Sequence, residues 1–118
     1  MKKILVVEDD TEMHVIYKKM LGELYSLDFV VDCDNALKKL GKNKYDLMIL
    51  DIIIPPKGGE QFYIDLKTKS KFKKLKVLVI TVLGSQEDFV KKYDESSGSI
   101  GKPFEKATLL KVISKMIG

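Results

Sequence analysis

The chain has one cysteine, one histidine and no arginine among its 118 residues. A lone Cys33 excludes an internal disulfide and any cysteine-based zinc centre. A lone His14 excludes His-rich metal sites and most imidazole-based catalysis. No apolar run approaches the roughly 20 residues that a bilayer-crossing helix needs. The opening run Ile4-Leu5-Val6-Val7 is cut off at once by Glu8-Asp9-Asp10, which fails the pattern of a secretory signal. A cytoplasmic protein with no membrane partner is expected. All 21 basic residues are lysine, against 17 acidic ones, for a net charge of +4. Arginine supplies the bidentate forks that read phosphate and guanine, whereas lysine acts as a point charge. The dense stretch from Lys67 to Lys76 therefore reads as a solvated lysine face, and no direct nucleic-acid binding is expected.

What is present fits one globular domain spanning residues 1–118. Apolar residues make up 45% and charged residues 32%, enough for a single core under a soluble surface. No repeat, low-complexity segment or linker interrupts it. Ile4-Leu5-Val6-Val7, Leu47-Met48-Ile49-Leu50 and Val77-Leu78-Val79-Ile80 are apolar at every position. Such runs suit strands buried on both faces of a parallel sheet. Phe29-Val30-Val31 is a shorter strand candidate, and Ser99-Ile100 a fifth. Helical spacing fills the gaps. Met13, Ile16, Tyr17, Met20, Leu21 and Leu24 form one stripe, capped by Asp10 or Thr11, and this stripe is expected to be core. Ala36, Leu37 and Leu40 form a second, with Gly41 as its stop. Phe62 and Leu66 form a third. Phe89, Val90 and Tyr93 follow Ser85 as N-cap, and Leu109, Leu110, Ile113, Met116 and Ile117 form the last. Strand and helix alternate five times, which predicts an α/β fold with helices on both faces of one parallel sheet.

In open sheets of this kind the site lies beyond the carboxyl ends of the strands. Those ends hold Glu8-Asp9-Asp10, Asp51, Thr81 and Lys102-Pro103. Crowded carboxylates repel one another unless a cation joins them. Hard oxygen donors without His or Cys favour Mg²⁺. Such a site suits phosphoryl transfer: a carboxylate attacks phosphorus, while cations and a hydroxyl meet the equatorial oxygens. Taken singly, Glu8-Asp9-Asp10 reads as a helix cap, Asp51 as a strand end and Lys102 as surface; together in register they read as a site.

Four motifs in order, Leu5-Val6-Val7-Glu8-Asp9-Asp10, Leu47-Met48-Ile49-Leu50-Asp51 with Pro55 and Gly59 following, Val79-Ile80-Thr81 and Lys102-Pro103-Phe104, make the chain resemble a receiver domain of two-component response regulators along essentially its whole length. The resemblance implies a flavodoxin-like three-layer fold with strand order 2-1-3-4-5. It implies Asp51 as phosphoacceptor, Thr81 as the switch hydroxyl and Lys102 as the phosphoryl-pairing lysine. Mg²⁺ is implied on Asp9 and Asp51, on Glu8 through water, and on the backbone carbonyl of Ile53. The Lys102–Pro103 bond is expected to be cis. A sensor histidine kinase or phosphotransfer protein is the implied donor. The output is a downstream protein target or a fused effector domain, through a monomer or a phosphorylation-dependent homodimer. The chain is expected to be a stand-alone regulator or a receiver cut from a longer one.

Departures from the family pattern carry their own expectations. Ser99 stands where the family has an aromatic switch residue, so coupling to the output face through the fourth helix, fifth strand and fifth helix is altered. The segment from Thr81 to Lys102 is one residue short, and Glu95-Ser96-Ser97-Gly98 predicts a changed or shortened end to the fourth helix. Val82, Ile53 and Leu83 offer attacking water little orientation, which predicts slow self-dephosphorylation. Pro56 stiffens the loop after Asp51, and Gly58 and Gly59 loosen its end. The main rival is a phosphorylation-independent interaction module on the same fold. An aspartate-based phosphatase would need a second acid near Asp51, where Ile52 and Ile53 stand, and a nucleotide-binding protein would need a Gly-rich loop after the first strand. His14 is expected to be a solvated helix residue, and Cys33 a small apolar residue or a neutral surface thiol.

Overall fold

The computed structural model describes residues 1–52, 58–82 and 87–118. Ser85, Leu83, Ile53 and Pro55 to Lys57 therefore lie outside the described residues. The element order is β1 (Lys3–Val7), α1 (Thr11–Leu21), β2 (Ser26–Val30), α2 (Cys33–Lys42), β3 (Leu47–Asp51), α3 (Gly59–Lys69), β4 (Val77–Thr81), α4 (Glu87–Tyr93), β5 (Gly98–Gly101) and α5 (Lys106–Ile117). All strand pairs are parallel, in the order β2-β1-β3-β4-β5. This is the flavodoxin-like order expected.

Alternation along the all-apolar strands explains the two cores. Successive side chains of a strand point to opposite faces. Leu5, Val7, Met48, Leu50, Val77 and Val79 meet Cys33, Ala36 and Leu40 of α2, Phe62, Tyr63 and Leu66 of α3, and Val90 of α4. Ile4, Val6, Leu47, Ile49, Leu78 and Ile80 meet Tyr17 and Leu21 of α1 and Leu109, Ile113 and Ile117 of α5. Cys33 is thus a buried apolar residue.

The helix starts follow local chemistry. Asp10, not Thr11, caps α1 by accepting from the Glu12 N–H at 2.9 Å. Asp32 caps α2 by accepting from the Asn35 N–H at 2.8 Å. Each cap satisfies a backbone donor that the first helical turn leaves free.

Several boundaries differ from the sequence reading. α1 stops at Leu21, with Gly22 at its C-cap, so Leu24 falls outside the helix and is exposed. Gly41 does not stop α2; it lies in the last turn, and the chain turns extended at Asn43. β2 begins at Ser26 rather than Phe29, paired with β1 from Lys3 to Val7. As an edge strand it is buried less completely, so Ser26 and Asp28 hide its pattern. Among the described residues, α4 runs from Glu87 to Tyr93.

Candidate functional site

The parallel order sets the carboxyl ends of β1, β3, β4 and β5 side by side along one edge. Glu8 follows β1, and its residue is nearly fully buried. Its N–H donates to the Val30 carbonyl at 3.0 Å. Its carboxylate accepts from Lys102 Nζ at 2.9 Å on one oxygen and from the Asp10 N–H at 3.2 Å on the other. Asp51 ends β3, is buried, and accepts from the same Lys102 Nζ at 3.1 Å. Thr81 ends β4, one step beyond the Asp51–Ile80 register pair, and is fully buried. Its carbonyl accepts from the Lys102 N–H at 2.8 Å, which fixes the backbone that carries the lysine. The Lys102–Pro103 peptide is cis, as expected.

The carboxylates of Glu8, Asp9 and Asp51 bring oxygens to within 4.8 Å of one another, and Asp9 faces solvent. Burial pushes the Glu8 carboxyl above its usual range, Lys102 and the Asp10 N–H pull it down, and the charge of Asp51 adds to the rise. Burial works to lower the Lys102 ammonium, but Glu8 and Asp51 outweigh it and the net shift is upward. The cluster thus carries more negative charge than one lysine balances. Its donors are all carboxylate oxygens, and one of them opens to water. That set fits a hard divalent cation that keeps part of its hydration, as Mg²⁺ does. The Ile53 carbonyl lies outside the described residues.

Three residues behave differently from the sequence reading. His14 is not simply solvated: it is half-buried, its Nε2 lies 2.6 Å from the Glu8 carbonyl oxygen, and its ring stacks on Phe29 at 4.8 Å. Gly59 does not loosen the loop. Its N–H donates to the Ile52 carbonyl at 2.9 Å, and a Cβ there would sit 2.4 Å from the Asp51 carbonyl oxygen. Ile16 belongs to a stripe read as core, yet it is exposed. Tyr17 and Leu21 face the sheet, while Met13, Ile16 and Met20 turn toward the β5–α5 loop. With Val82, Pro103 and Phe104 they line an apolar groove of about 480 Å³ beside Lys102. The sequence signal for His14 was only its position four residues into α1, which says nothing of a bond back to the end of β1.

A model of the response regulator receiver domain matches residues 4–114. The chain is 29% identical over 117 residues to the regulatory protein VanRB of Enterococcus faecalis, covering 98% of this chain and 52% of that protein. It is 30% identical over 118 residues to the chemotaxis protein CheY-3 of Vibrio cholerae, covering 97% and 90%. The structure of V. cholerae CheY4 superposes with a TM-score of 0.83 at 28% identity, covering 98% of both chains. The chain spans about half the length of several of the curated relatives it matches.

Proposed function

Because this chain belongs to the response regulator receiver domain family, we propose that it is a phosphorylation-operated switch in which Asp51 takes a phosphoryl group from a sensor histidine kinase or phosphotransfer protein. Residues 1–118 act as one receiver unit in the cytoplasm; among the described residues no helix is long and apolar enough to cross a membrane. The observation that carries this reading is the shared Lys102 ammonium, bonded to both Glu8 and Asp51 at the sheet edge.

An Asp51 carboxylate oxygen attacks phosphorus, the bond to the donor nitrogen breaks, and an acyl phosphate forms. Asp9 and Asp51, Glu8 through water and, as the family pattern implies, the Ile53 carbonyl would hold Mg²⁺, which would supply neutralising charge to the phosphoryl oxygens. Lys102 exchanges its bond to the Asp51 carboxylate for one to a phosphoryl oxygen. Thr81 donates its hydroxyl to another. The apolar groove of Met13, Ile16, Met20, Val82, Pro103 and Phe104 lies beside Lys102 and gives the donor protein a surface within reach of the acceptor. The chain assists its own phosphorylation and dephosphorylation and is not otherwise an enzyme. Its output is a changed set of contacts, as a monomer or a phosphorylation-dependent homodimer, to a downstream protein or a fused effector domain.

A second reading, an interaction module that works without phosphorylation, is favoured by Ser99 on β5. Intact-mass spectrometry after incubation with acetyl phosphate separates the two. The switch gains one phosphoryl group only with Mg²⁺ present, and Asp51→Asn gains none. An unlabelled wild type under conditions that label an ordinary receiver sinks the switch and leaves the module.

A further inference from the structure

The single histidine of the chain lies at this edge, and the proposed chemistry leaves it without a task. A carbonyl oxygen only accepts, so the 2.6 Å contact to Glu8 requires the proton on His14 Nε2. The stack on Phe29, with ring centroids 4.8 Å apart and planes 25° from parallel, sets the direction of that N–H. Phe29 precedes Val30, whose carbonyl takes the Glu8 N–H. Glu8 is therefore gripped on both sides of its backbone, from β2 at its N–H and from α1 at its carbonyl. Lys102 and the Asp10 N–H hold its two carboxylate oxygens.

We infer that His14 is a positioning residue: its Nε2–H locks the Glu8–Asp9 peptide in the orientation that presents the acidic pair to a divalent cation beside Asp51. The physical argument concerns Asp9 most. Asp9 is exposed, so the aim of its carboxylate depends on the backbone that carries it. The Glu8 carbonyl belongs to the peptide that leads directly into Asp9. Fixing that carbonyl restricts rotation of the peptide plane and so of the Asp9 Cα–Cβ direction. The N–H also places a positive dipole end against an oxygen next to three carboxylates, where a free carbonyl would add to the repulsion. Groups that orient metal ligands from one bond away contribute to affinity without touching the ion.

The inference rests on the reading of Glu8, Asp9 and Asp51 as a Mg²⁺ site, and the test separates the two. Mg²⁺ binding is measured by titration calorimetry on wild type, His14→Phe and His14→Gln, with the Mg²⁺-induced rise in melting temperature as a second readout. Phenylalanine keeps the stack on Phe29 and loses the donor; glutamine loses the stack and keeps an amide donor. The expected result is Mg²⁺ affinity weakened about three- to tenfold in His14→Phe and held within about twofold in His14→Gln, the low end of what outer partners of metal ligands contribute. The rise in melting temperature shrinks in step for His14→Phe alone, whatever the metal-free value of each variant. Wild-type affinity in His14→Phe overturns the inference, as does a His14→Gln that binds as weakly as His14→Phe. Absence of Mg²⁺ binding by wild type overturns the reading of the site and takes the inference with it.

Discussion

At the scale of single residues, a tight constraint on Asp51 comes from a group that has no side chain. Gly59 opens α3 directly against the end of β3, and an added Cβ would lie 2.4 Å from the Asp51 carbonyl oxygen and 2.8 Å from Ile52 Cα. Atoms do not approach so closely, so either α3 retreats or the strand that carries Asp51 shifts. Gly59→Ala is expected to cost about 1–3 kcal/mol, the usual range for overpacking, and to slow phosphoryl acceptance. The neighbouring Gly58 has nothing among the described residues within 4 Å of its Cβ position, so Gly58→Ala is expected to be near neutral. Urea midpoints of the two variants and their labelling rates with acetyl phosphate check both statements. The sequence named both glycines but gave them the same meaning, because a pattern of letters carries no distance. That Glu8, Asp9, Asp51 and Lys102 come together could be read from the sequence, because each ends or follows a strand and the parallel order puts strand ends side by side. His14 was not legible, because its partner is a backbone carbonyl.

At the scale of elements, the end of α4 is tied down by a buried cation. The Lys67 side chain on α3 is 1% exposed and bonds to Asp94 at 2.5 Å. It also donates to the carbonyls of Lys73 and Leu75. Asp94 follows α4 and in turn accepts from the N–H and hydroxyl of Ser96. Tyr63 on α3 donates to the Val90 carbonyl at 2.6 Å and packs near Phe89 and Tyr93. The end of α4 is thereby linked to α3 and to the entry of β5, the strand that carries Ser99. Removing one partner of a buried pair strands the other charge. Asp94→Ala is expected to lose about 3–5 kcal/mol. Lys67→Met in the same chain is expected to recover part of that loss, because the stranded ammonium is gone. Chemical denaturation of the two single variants and the double variant measures it; a double variant less stable than Asp94→Ala would refute the account. The sequence reading placed Lys67 on a solvated lysine face. The fold instead buries it, since the α3–β4 loop and Asp94 close over its end.

At the scale of the whole molecule, parallel topology sorts charge. The N-termini of α1, α2, α3 and α5 lie at the edge that carries the site, and Glu12, Asp34 and Glu60 occupy first turns there. Lysines occupy last turns at the opposite pole, where they complement the helix dipoles. The site edge is thus acidic in a chain of net charge +4, which raises local cation concentration. Two carboxylates away from the site make global stability depend on acid. A hydrogen bond from Tyr45 at 2.6 Å holds the Asp28 carboxyl below its usual range, with burial opposing and Lys3 and Lys39 assisting. Burial would raise Asp94, but its bonds to Lys67 and Ser96 outweigh this and its net shift is also downward. The unfolded chain takes up these protons first on acidification, near the ordinary value of 3.8. Their contribution is present above that pH and is lost as pH falls through the lower folded values. The urea midpoint is expected to fall steadily below about pH 4, and Asp28→Asn is expected to fall less steeply over the same range.

The sequence by itself determined the five all-parallel strands, the helices between them, the edge where the acidic cluster and Lys102 gather and the family to which the chain belongs. It did so because burial on two faces, helical spacing and strand-end residues are local patterns written in consecutive letters. Only the tertiary structure decided which side chains meet: Lys102 with Glu8 across 94 positions, Lys67 with Asp94, His14 with the carbonyl before Asp9, and α3 pressed on Asp51 at Gly59. Those pairings depend on distances set by sheet order, helix placement and loop closure, and a linear pattern records that a residue is buried but not what it is buried against.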